Sequence, residues 1–417
     1  MTAFDETRPV PGTRRGYVLA LLLACSLVTH PSGQNVPLSR VVAIGDVHGD
    51  FDSFAAILKT AGLIDASSNW SGGNATLVQV GDSTDRGAKV RQVLDLLMAL
   101  EEQAKAAGGR VAVLLGNHEV LNLIGDVSYV TPEIYATFAD DQSEQRRLAA
   151  YDAYVKLWAE RGGQLRQVPR TYQPVLKSVW MDAHPLGFVE YREAFGPQGR
   201  YGRWLRNKPA VLRVGDTVFM HAGINPDKAP RSLEDINKQV AGEIKRFDDL
   251  RARMIDRKMV LPFFTLREVL DTAQVEVGTS TSAANSTSAD SGGLDALSIS
   301  DPLGLRALLG INSWALVSSD GPLWFRGFAT WSPEVGAVQS KKLLERYNVA
   351  HFVVGHTIVA SGHITPRFSA GVFLIDTGML ASYAPRGVAS ALEIADGRFS
   401  AIYASERIPL LESGPRR

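Results

Sequence analysis

A chain of 417 residues, with 45% hydrophobic and 21% charged residues, has the composition of an ordinary soluble globular protein. That composition excludes the disordered, collagen-like and multi-span membrane classes, and the length fits one large core with insertions. Lysine plus arginine and aspartate plus glutamate both number 44, so no net charge draws the chain to nucleic acid or to an anionic membrane. Any preference for an anion must therefore be local.

The first 39 residues, 1–39, are predicted to be an export signal and linker. A basic pair, Arg14 and Arg15, precedes an apolar run over 18–28 that is too short for a permanent membrane span. The letters LLAC, ending at Cys25, resemble a bacterial lipobox, so the alternatives are lipidation of Cys25 and cleavage just after it. We expect an exported protein, either periplasmic or lipid-anchored to a bacterial membrane. With one cysteine in the chain, metal ligands must come from His, Asp and Asn.

Three apolar runs at 40–44, 77–80 and 111–115 are predicted to be strands. Residues 53–61 and 90–107 lie between them and have the spacing of amphipathic helices. Strands that alternate with helices predict a largely parallel sheet, which binds ligands outside the carboxyl ends of its strands. The polar motifs at those ends are Gly45-Asp46, Gly81-Asp82 and Gly116-Asn117.

The remaining chain is predicted to complete one domain over 40–410 that carries insertions. A hairpin over 211–220, turning at Gly215-Asp216, is expected to resume the sheet, and later strands are expected at 351–354 and 372–375. A last hairpin joins 391–394 to 399–403. The predicted insertions are a helical cap at about 131–205, a helical segment at about 232–271 and a low-complexity loop at about 276–300.

The polar residues at the first two strand ends have the chemistry of a metal site. Asp46 and His48 lie two apart in a glycine-flanked turn, so both side chains can reach one ion. A carboxylate with an imidazole suits Mn, Fe or Zn better than calcium. Asp82 has two oxygens and could bridge two ions.

Later positions can complete a second metal site. Asn117 offers an amide oxygen, with His118 beside it, and His221 and His356 each follow an apolar strand. Together these residues can fill two adjacent sites roughly 3.5 to 4 Å apart, an arrangement that holds a phosphoester and an attacking water.

The motifs also resemble a known family. GDVHG at 45–49, GDSTDRG at 81–87 and GNHE at 116–119, in that order, resemble the calcineurin-like metallophosphoesterases, and the DRG element resembles their phosphoprotein phosphatase branch. The blocks HAGI at 221–224, GHT at 355–357 and GPLWFRG at 321–327 are similar to the Shewanella-like bacterial protein phosphatases. The resemblance implies an α/β fold of central β-sheets packed as a β-sandwich, flanked by helices and carrying helical cap insertions.

The resemblance further implies separate roles for the site residues. Two divalent ions, manganese first and iron or zinc as alternatives, would activate the attacking water. His118 would protonate the leaving oxygen, and Asp85 would accept the other ring hydrogen. Arg86 and Arg326 would clamp the phosphate, with Arg203 as the reserve choice. The implied metal ligands are Asp46, His48 and Asp82 for one ion, and Asp82, Asn117, His221 and His356 for the other.

The function implied is a phosphomonoester hydrolase of the protein phosphatase type, with a preference for phosphotyrosine that follows from family likeness alone. Its substrate would be a phosphorylated protein or a small phosphoester, with no nucleic-acid partner and with membrane contact only through a lipid on Cys25. One alternative is a hydrolase of nucleotides or diadenosine polyphosphates, which shares these motifs. Another is an exported lipoprotein that binds metal or phosphate without turnover.

Overall fold

The computed structural model describes residues 40–162, 174–287 and 304–412, which belong to one compact unit. The predicted export signal at 1–39, with Cys25, lies outside the described residues, and so does the stretch 288–300 of the predicted loop. Among the helices in the described ranges, none is both long and apolar enough to cross a membrane.

The strands in these ranges are β1 Val41–Ile44, β2 Thr76–Gln79, β3 Arg110–Val113, β4 Val211–Val214, β5 Thr217–Met220, β6 His351–Val354, β7 Thr365–Arg367, β8 Val372–Leu374, β9 Ala391–Ala395, β10 Arg398–Ile402 and β11 Arg407–Leu411. The helices are α1 Phe51–Thr60, α2 Val90–Ala106, α3 Asn117–Ile124, α4 Pro132–Ala136, α5 Ser143–Gly162, α6 Lys177–Ala183, α7 Phe188–Phe195, α8 Arg200–Arg206, α9 Leu233–Asp256, α10 Leu266–Thr287, α11 Leu305–Leu309, α12 Gly327–Thr330 and α13 Pro333–Tyr347.

The first sheet has the strand order β11-β10-β9-β1-β2-β3, and β1, β2 and β3 run parallel as predicted. β1 and β2 are buried along their whole length, which explains why their sequences are continuous apolar runs and not alternating ones. Helices α1 and α2 cover one face, where Phe54 and Leu97 pack with Val42 and Leu77. α1 begins where the Asp50 carboxylate accepts the main-chain N–H of the residue three positions on.

The second sheet has the order β4-β5-β6-β8-β7 and packs on the other face of the first. One apolar layer joins the two sheets. It contains Val80 and Leu114, which directly follow β2 and β3, and Phe219, Val353 and Phe373 of the second sheet. The predicted β-sandwich is therefore confirmed. The hairpin of β4 and β5 is also present, but the expectation that it resumes the first sheet is wrong, because an apolar period does not specify which sheet a strand joins.

The region predicted as a cap carries α4 to α8, with residues 163–173 outside the description. The segment 232–271 contains α9 and the start of α10, separated by a turn that holds Pro262, a residue that cannot continue a helix. α10 extends to Thr287, so residues 276–287 of the predicted loop are helical. Serine and threonine are only moderate helix formers, but alanine is the best one, and a single glycine does not end a helix that packing has begun.

Candidate metal centre

Three loops at the carboxyl edge of the first sheet carry Asp46, Asp82 and Asn117. Because β1, β2 and β3 are parallel and in register, these loops leave the sheet side by side. The main-chain N–H of His48 donates to the carbonyl oxygen of Asp82 at 2.9 Å, which joins the first loop to the second. All three side chains are buried at this edge.

The second sheet delivers three more loops to the same place. His221 follows β5, His356 follows β6 and Asp376 follows β8, and these strands are parallel. The main-chain N–H of His356 donates to Oδ1 of Asp46 at 3.0 Å, and Nδ1 of His221 lies 3.2 Å from the carbonyl oxygen of Val80. Both hydrogen bonds cross from one sheet to the other, so the centre lies between the sheets.

Two glycines allow the loops to approach this closely. A Cβ atom on Gly45 would overlap the main-chain carbonyl of Ile375, and one on Gly355 would overlap Oδ1 of Asp46. Any larger residue at either position would force the two sheets apart where the acidic side chains meet.

Backbone strain is concentrated at the centre. The residues His48, Asp82, Asp85, Arg86 and His356 have left-handed backbones, with φ between 47° and 69°. A residue with a Cβ atom adopts this region rarely, at about 1–3 kcal/mol each, and such residues cluster at functional sites. The strain aims side chains from tight turns into one space.

Main-chain carbonyl groups orient three imidazoles of the centre. Because a carbonyl oxygen only accepts, the ring nitrogen that faces it must carry the hydrogen. The opposite nitrogen then presents a lone pair, which is the form in which imidazole binds a metal. The pairs are His48 Nδ1 with Thr84 O at 3.0 Å, His221 Nδ1 with Val80 O at 3.2 Å and His356 Nε2 with Trp324 O at 3.2 Å.

These lone pairs converge with oxygen acceptors on one point. Nε2 of His221 lies 2.8 Å from Oδ1 of Asn117 and 3.1 Å from Nδ1 of His356. It also lies 3.3 Å from Oδ2 of Asp82. In the neutral tautomers assigned above, none of these four atoms carries a hydrogen. Ligand atoms on one metal ion lie roughly 3 to 3.4 Å from one another when each bond is about 2.1 Å, so the four fit a cation.

A second group of acceptors also includes Asp82. Nε2 of His48 is 3.8 Å from Oδ2 of Asp82 and 3.9 Å from Oδ2 of Asp46. Asp82 belongs to both groups, so its carboxylate is placed to bridge them. Mixed imidazole and carboxylate donors suit divalent transition metals, and the residues present fit two such ions.

The electrostatics agree with this fit. Burial, followed by the carboxylates of Asp376 and Asp82, raises the pKa of Asp46 well above its usual range. Burial lowers the pKa of His48 to about 3 and that of His356 to about 2, so both imidazoles are neutral. Crowded carboxylates beside neutral donors are stabilised by added positive charge.

His118 faces the centre from the start of α3. Its Nδ1 lies 2.7 Å from Oδ2 of Asp85, whose other oxygen accepts from the amide of Asn122 at 2.9 Å. Tyr191 donates to the oxygen of that same amide at 2.6 Å, which fixes its orientation. Burial lowers the pKa of His118, but the carboxylates of Asp82 and Asp85 outweigh burial, and the net pKa is raised. The ring is therefore held in place and favoured in its charged form.

Arg86 lies directly beside this histidine. Its Nη2 is 3.2 Å from Nε2 of His118, and its guanidinium carbon is 3.6 Å from the ring centre of Tyr383 and 5.4 Å from that of Tyr129. Stacking between two tyrosines holds the guanidinium plane over the cavity, where it can reach an anion.

The structure places one of the two other predicted arginines at the cavity and the other away from it. Arg326 lines the same cavity, and its Nη1 donates to the carbonyl oxygen of His356 at 3.0 Å. Arg203 does not line that cavity and lies on the exposed side of α8. The inner side of α8 contacts α2, where Nε1 of Trp204 donates to Glu101 at 2.7 Å. The choice of Arg203 as reserve clamp is therefore not supported by its position, because no strand end carries it to the centre.

Glu119 ties the first-sheet loops together. Its carboxylate accepts the main-chain N–H groups of Asp82 at 2.7 Å, Ser83 at 2.7 Å and Gly116 at 2.8 Å. The buried carboxylate thereby fixes the second loop against the third, which sets the relation between Asp82 and Asn117.

Sequence reasoning missed several residues of the cavity, which has a volume of about 380 Å³. Asp376 could have been found, because it follows a predicted strand in the way that Asp46 does. The two tyrosines had no such signal, since they lie in loops without a motif, and Trp324 lies in the GPLWFRG block but was given no role there. The missed lining residues are Asp376, Tyr129, Tyr383, Trp324 and Ile358.

Comparison with known proteins gives a family and two relatives of one kind. A model of the family "Calcineurin-like phosphoesterase" matches residues 39–253. The chain is 32% identical over 239 residues to Shewanella-like protein phosphatase 2 of Arabidopsis thaliana, which covers 52% of this chain and 56% of that protein. It is 24% identical over 343 residues to Shewanella-like protein phosphatase 1 of Plasmodium berghei, which covers 82% of this chain and 67% of that protein. The chain thus spans little more than half of the Arabidopsis relative.

A solved structure supports the fold. The cold-active protein-tyrosine phosphatase of a psychrophilic Shewanella species superposes with a TM-score of 0.54 at 23% identity, covering 90% of this chain and 81% of that one. At this identity the likeness concerns the fold alone, and it agrees with the two packed sheets described above.

Proposed function

The chain belongs to the calcineurin-like phosphoesterase family, as its motifs predicted, and from that premise we propose that it is a metal-dependent phosphatase of phosphomonoesters. The observation that carries the proposal is one cavity in which acceptor atoms for two cations lie beside His118 and Arg86. His118 provides a proton donor and Arg86 provides a fixed positive charge, so ion binding alone does not account for the arrangement.

We assign the ligands as the resemblance implied. Two divalent cations, manganese first and iron or zinc as alternatives, supply an activated water and neutralise phosphate charge when bound. The proposed ligands are Asp46, His48 and Asp82 for one cation, and Asp82, Asn117, His221 and His356 for the other.

The remaining side chains act on the substrate. Arg86 and Arg326 orient the phosphate, because a guanidinium can donate two parallel hydrogen bonds to phosphate oxygens. Nε2 of His118 gives its proton to the leaving oxygen, while Asp85 accepts the Nδ1 hydrogen and keeps the ring in position. The raised pKa of His118 supports a protonated ring at the start of the reaction.

We propose phosphorylated protein as the substrate, with a preference for phosphotyrosine. The Arabidopsis and Plasmodium relatives are both named as protein phosphatases, which supports the first part. Tyr129 and Tyr383, 43% and 47% exposed on the cavity wall, support the second, because their rings can stack on an aryl group.

A panel of substrates on metal-analysed protein tests this function. Phosphotyrosine peptide, phosphoserine peptide and diadenosine tetraphosphate are compared with manganese and after chelation. We expect metal-dependent hydrolysis, fastest on phosphotyrosine peptide. Faster hydrolysis of the dinucleotide would favour the nucleotide hydrolase, and no hydrolysis of any substrate would favour a binding protein.

The location of the protein is a separate proposal. We infer export to the periplasm, or attachment to a bacterial membrane by a lipid on Cys25, from the basic and apolar N-terminal residues. Mass spectrometry of the N-terminal peptide from fractionated cells distinguishes a lipidated Cys25 from a cleaved one. An intact N-terminus in the cytoplasmic fraction would contradict both forms.

A further inference from the structure

A second cavity, of about 840 Å³, lies among α5, α7, α8 and α9. None of the described residues that line it also lines the cavity of the metal centre. Its volume falls in the range of pockets for small organic molecules. Much of its wall is apolar, with contributions from Phe138, Ala194, Pro197, Ile255 and Pro262.

Two buried arginines line this cavity. Arg192 of α7 is 2% exposed and Arg251 of α9 is 5% exposed. Arg192 donates to the carbonyl oxygens of Asn122 at 3.3 Å and Phe264 at 3.5 Å, and Arg251 donates to that of Pro262. The Nε atom of each arginine has no hydrogen-bond partner in the structure. Both guanidinium groups are therefore satisfied only in part, and only by neutral oxygens.

The acidic residues of the cavity do not neutralise these two arginines. Three of them are already paired with other arginines, and the fourth, Glu193, is exposed at the rim. Among the described residues, no carboxylate forms an ion pair with Arg192 or Arg251. The existing pairs are Asp140 with Arg146 at 2.8 Å, Glu190 with Arg146 at 2.6 Å and Asp248 with Arg206 at 2.7 Å.

Two buried cations in one wall without a carboxylate in direct ion-pair contact are an unfavourable arrangement. A guanidinium stays charged at neutral pH, and a buried charge is normally paired. Both guanidinium groups donate to carbonyl oxygens of one turn, at Pro262 and Phe264, and burial, followed by the charge of Arg192, lowers the pKa of Arg251 to about 9. An anion placed between them and the apolar wall would relieve this repulsion.

We propose that this cavity binds an organic carboxylate, whose head pairs with Arg192 and Arg251 and whose apolar body lies along Phe138 and Ile255. A carboxylate matches the planar donor edge of a guanidinium, and the apolar wall excludes a small hydrated anion as the best occupant. The ligand class is thus an amphipathic monoanion with an acyl or aryl body.

Calorimetric titration of the full chain with octanoate tests the proposal, and 1-octanol is the uncharged control of the same body. We expect octanoate to saturate one site per chain and 1-octanol to bind at least about 10-fold more weakly, since a charge-assisted hydrogen bond contributes about 1.5–3 kcal/mol. Equal binding of the two, or no saturable binding of octanoate, would overturn the proposal.

Variants locate the site. Arg251→Gln removes one cation, and Ala252→Trp fills the cavity from an exposed position of α9 that lines it. Each should weaken octanoate binding at least about 10-fold. The matched control is Lys245→Gln, which removes a positive charge from the exposed side of the same helix and should leave the affinity unchanged. If Arg251→Gln fails to fold, Ala252→Trp decides, because it leaves both arginines in place.

Unchanged affinity in a folded Ala252→Trp variant would show that octanoate binds elsewhere. We leave Arg192 unaltered in this design because its guanidinium also donates to the carbonyl oxygen of Asn122, whose amide holds Asp85. A variant at that position would disturb the neighbour of His118 together with the second cavity.

Discussion

The two sheets contribute to the metal centre in different ways. The first sheet supplies Asp46, Asp82 and Asn117 from three neighbouring loops in one short part of the chain. The second supplies His221 and His356, which are 135 positions apart and meet only because β5 and β6 are paired. The first sheet thus provides the bridging carboxylate, and the second provides two further imidazoles.

This difference shows that one half of the centre is local and the other half depends on the sandwich. The group around His221 includes atoms from both sheets, so metal binding and the packing of the sheets support each other. The group around His48 is built from first-sheet loops alone. Substitutions that remove one contribution at a time should distinguish the two halves.

Removal of the bridge should have the largest effect. Asp82→Ala takes away the carboxylate shared by both groups, so we expect the variant to lose both of the proposed ions. The loss of several kcal/mol of transition-state stabilisation corresponds to a decrease in turnover on the order of 10⁴-fold. Metal analysis and aryl phosphate hydrolysis measure the two effects. Asp152→Ala, an exposed carboxylate of α5, is the control, and retention of two ions by Asp82→Ala would contradict the bridge.

His118→Ala should follow, and its effect should be on turnover alone. The imidazole is placed to donate a proton, so we expect nearly normal metal content and a decrease of roughly 10³-fold with an alkyl leaving group. An activated aryl leaving group needs less protonation, and the decrease should be smaller there. Equal losses on both kinds of substrate would contradict the role as general acid.

A pair of histidine variants compares the two halves directly. His221→Ala and His48→Ala should each lose one ion and about 100-fold in activity. In the presence of chelator, His221→Ala should also unfold at a lower temperature than His48→Ala. The reason is that the ring of His221 reaches across to Val80 of the other sheet, whereas His48 contacts Thr84 within its own sheet. Equal melting temperatures would mean that His221 does not help to hold the sheets together.

The smallest effect is expected from a substitution at the point where the loops of the two sheets approach each other closely. Gly355→Ala should destabilise the fold by about 1–3 kcal/mol, because its Cβ would overlap Asp46. Gly242→Ala is the matched control: it lies within α9 with open space around it, and alanine there should stabilise by about 0.5–1 kcal/mol. Chemical denaturation measures both. A neutral Gly355→Ala would show that the sheets can separate without cost.

Much of the centre could be predicted from local patterns. β-branched runs that end in glycine and a polar residue specify a strand followed by a tight turn, which located Asp46, Asp82 and Asn117 without any knowledge of distant contacts. A looser rule, which accepts a polar residue directly after an apolar strand without a glycine, would have located Asp376 after β8. The helical propensity of 276–287 was underestimated because composition was taken as a sign of a loop.

Other features depended on the tertiary structure. Arg326 and Arg203 were both predicted as phosphate clamps, but only Arg326 lines the cavity, because the turn after Trp324 is packed against the loop of His356. The sheet to which β4 and β5 belong, and the unpaired state of Arg192 and Arg251, were equally invisible in the sequence.

The sequence by itself determined the strand ends, the donor types and the family of this protein, because turns and periodic apolar runs are set by neighbouring residues. Only the tertiary structure decided which donors share an ion, which arginine reaches the cavity and where a second anion site lies. Those outcomes depend on contacts between residues up to 310 positions apart, as between His356 and Asp46. Contacts of that range follow from the packing of two sheets, and no local pattern encodes them.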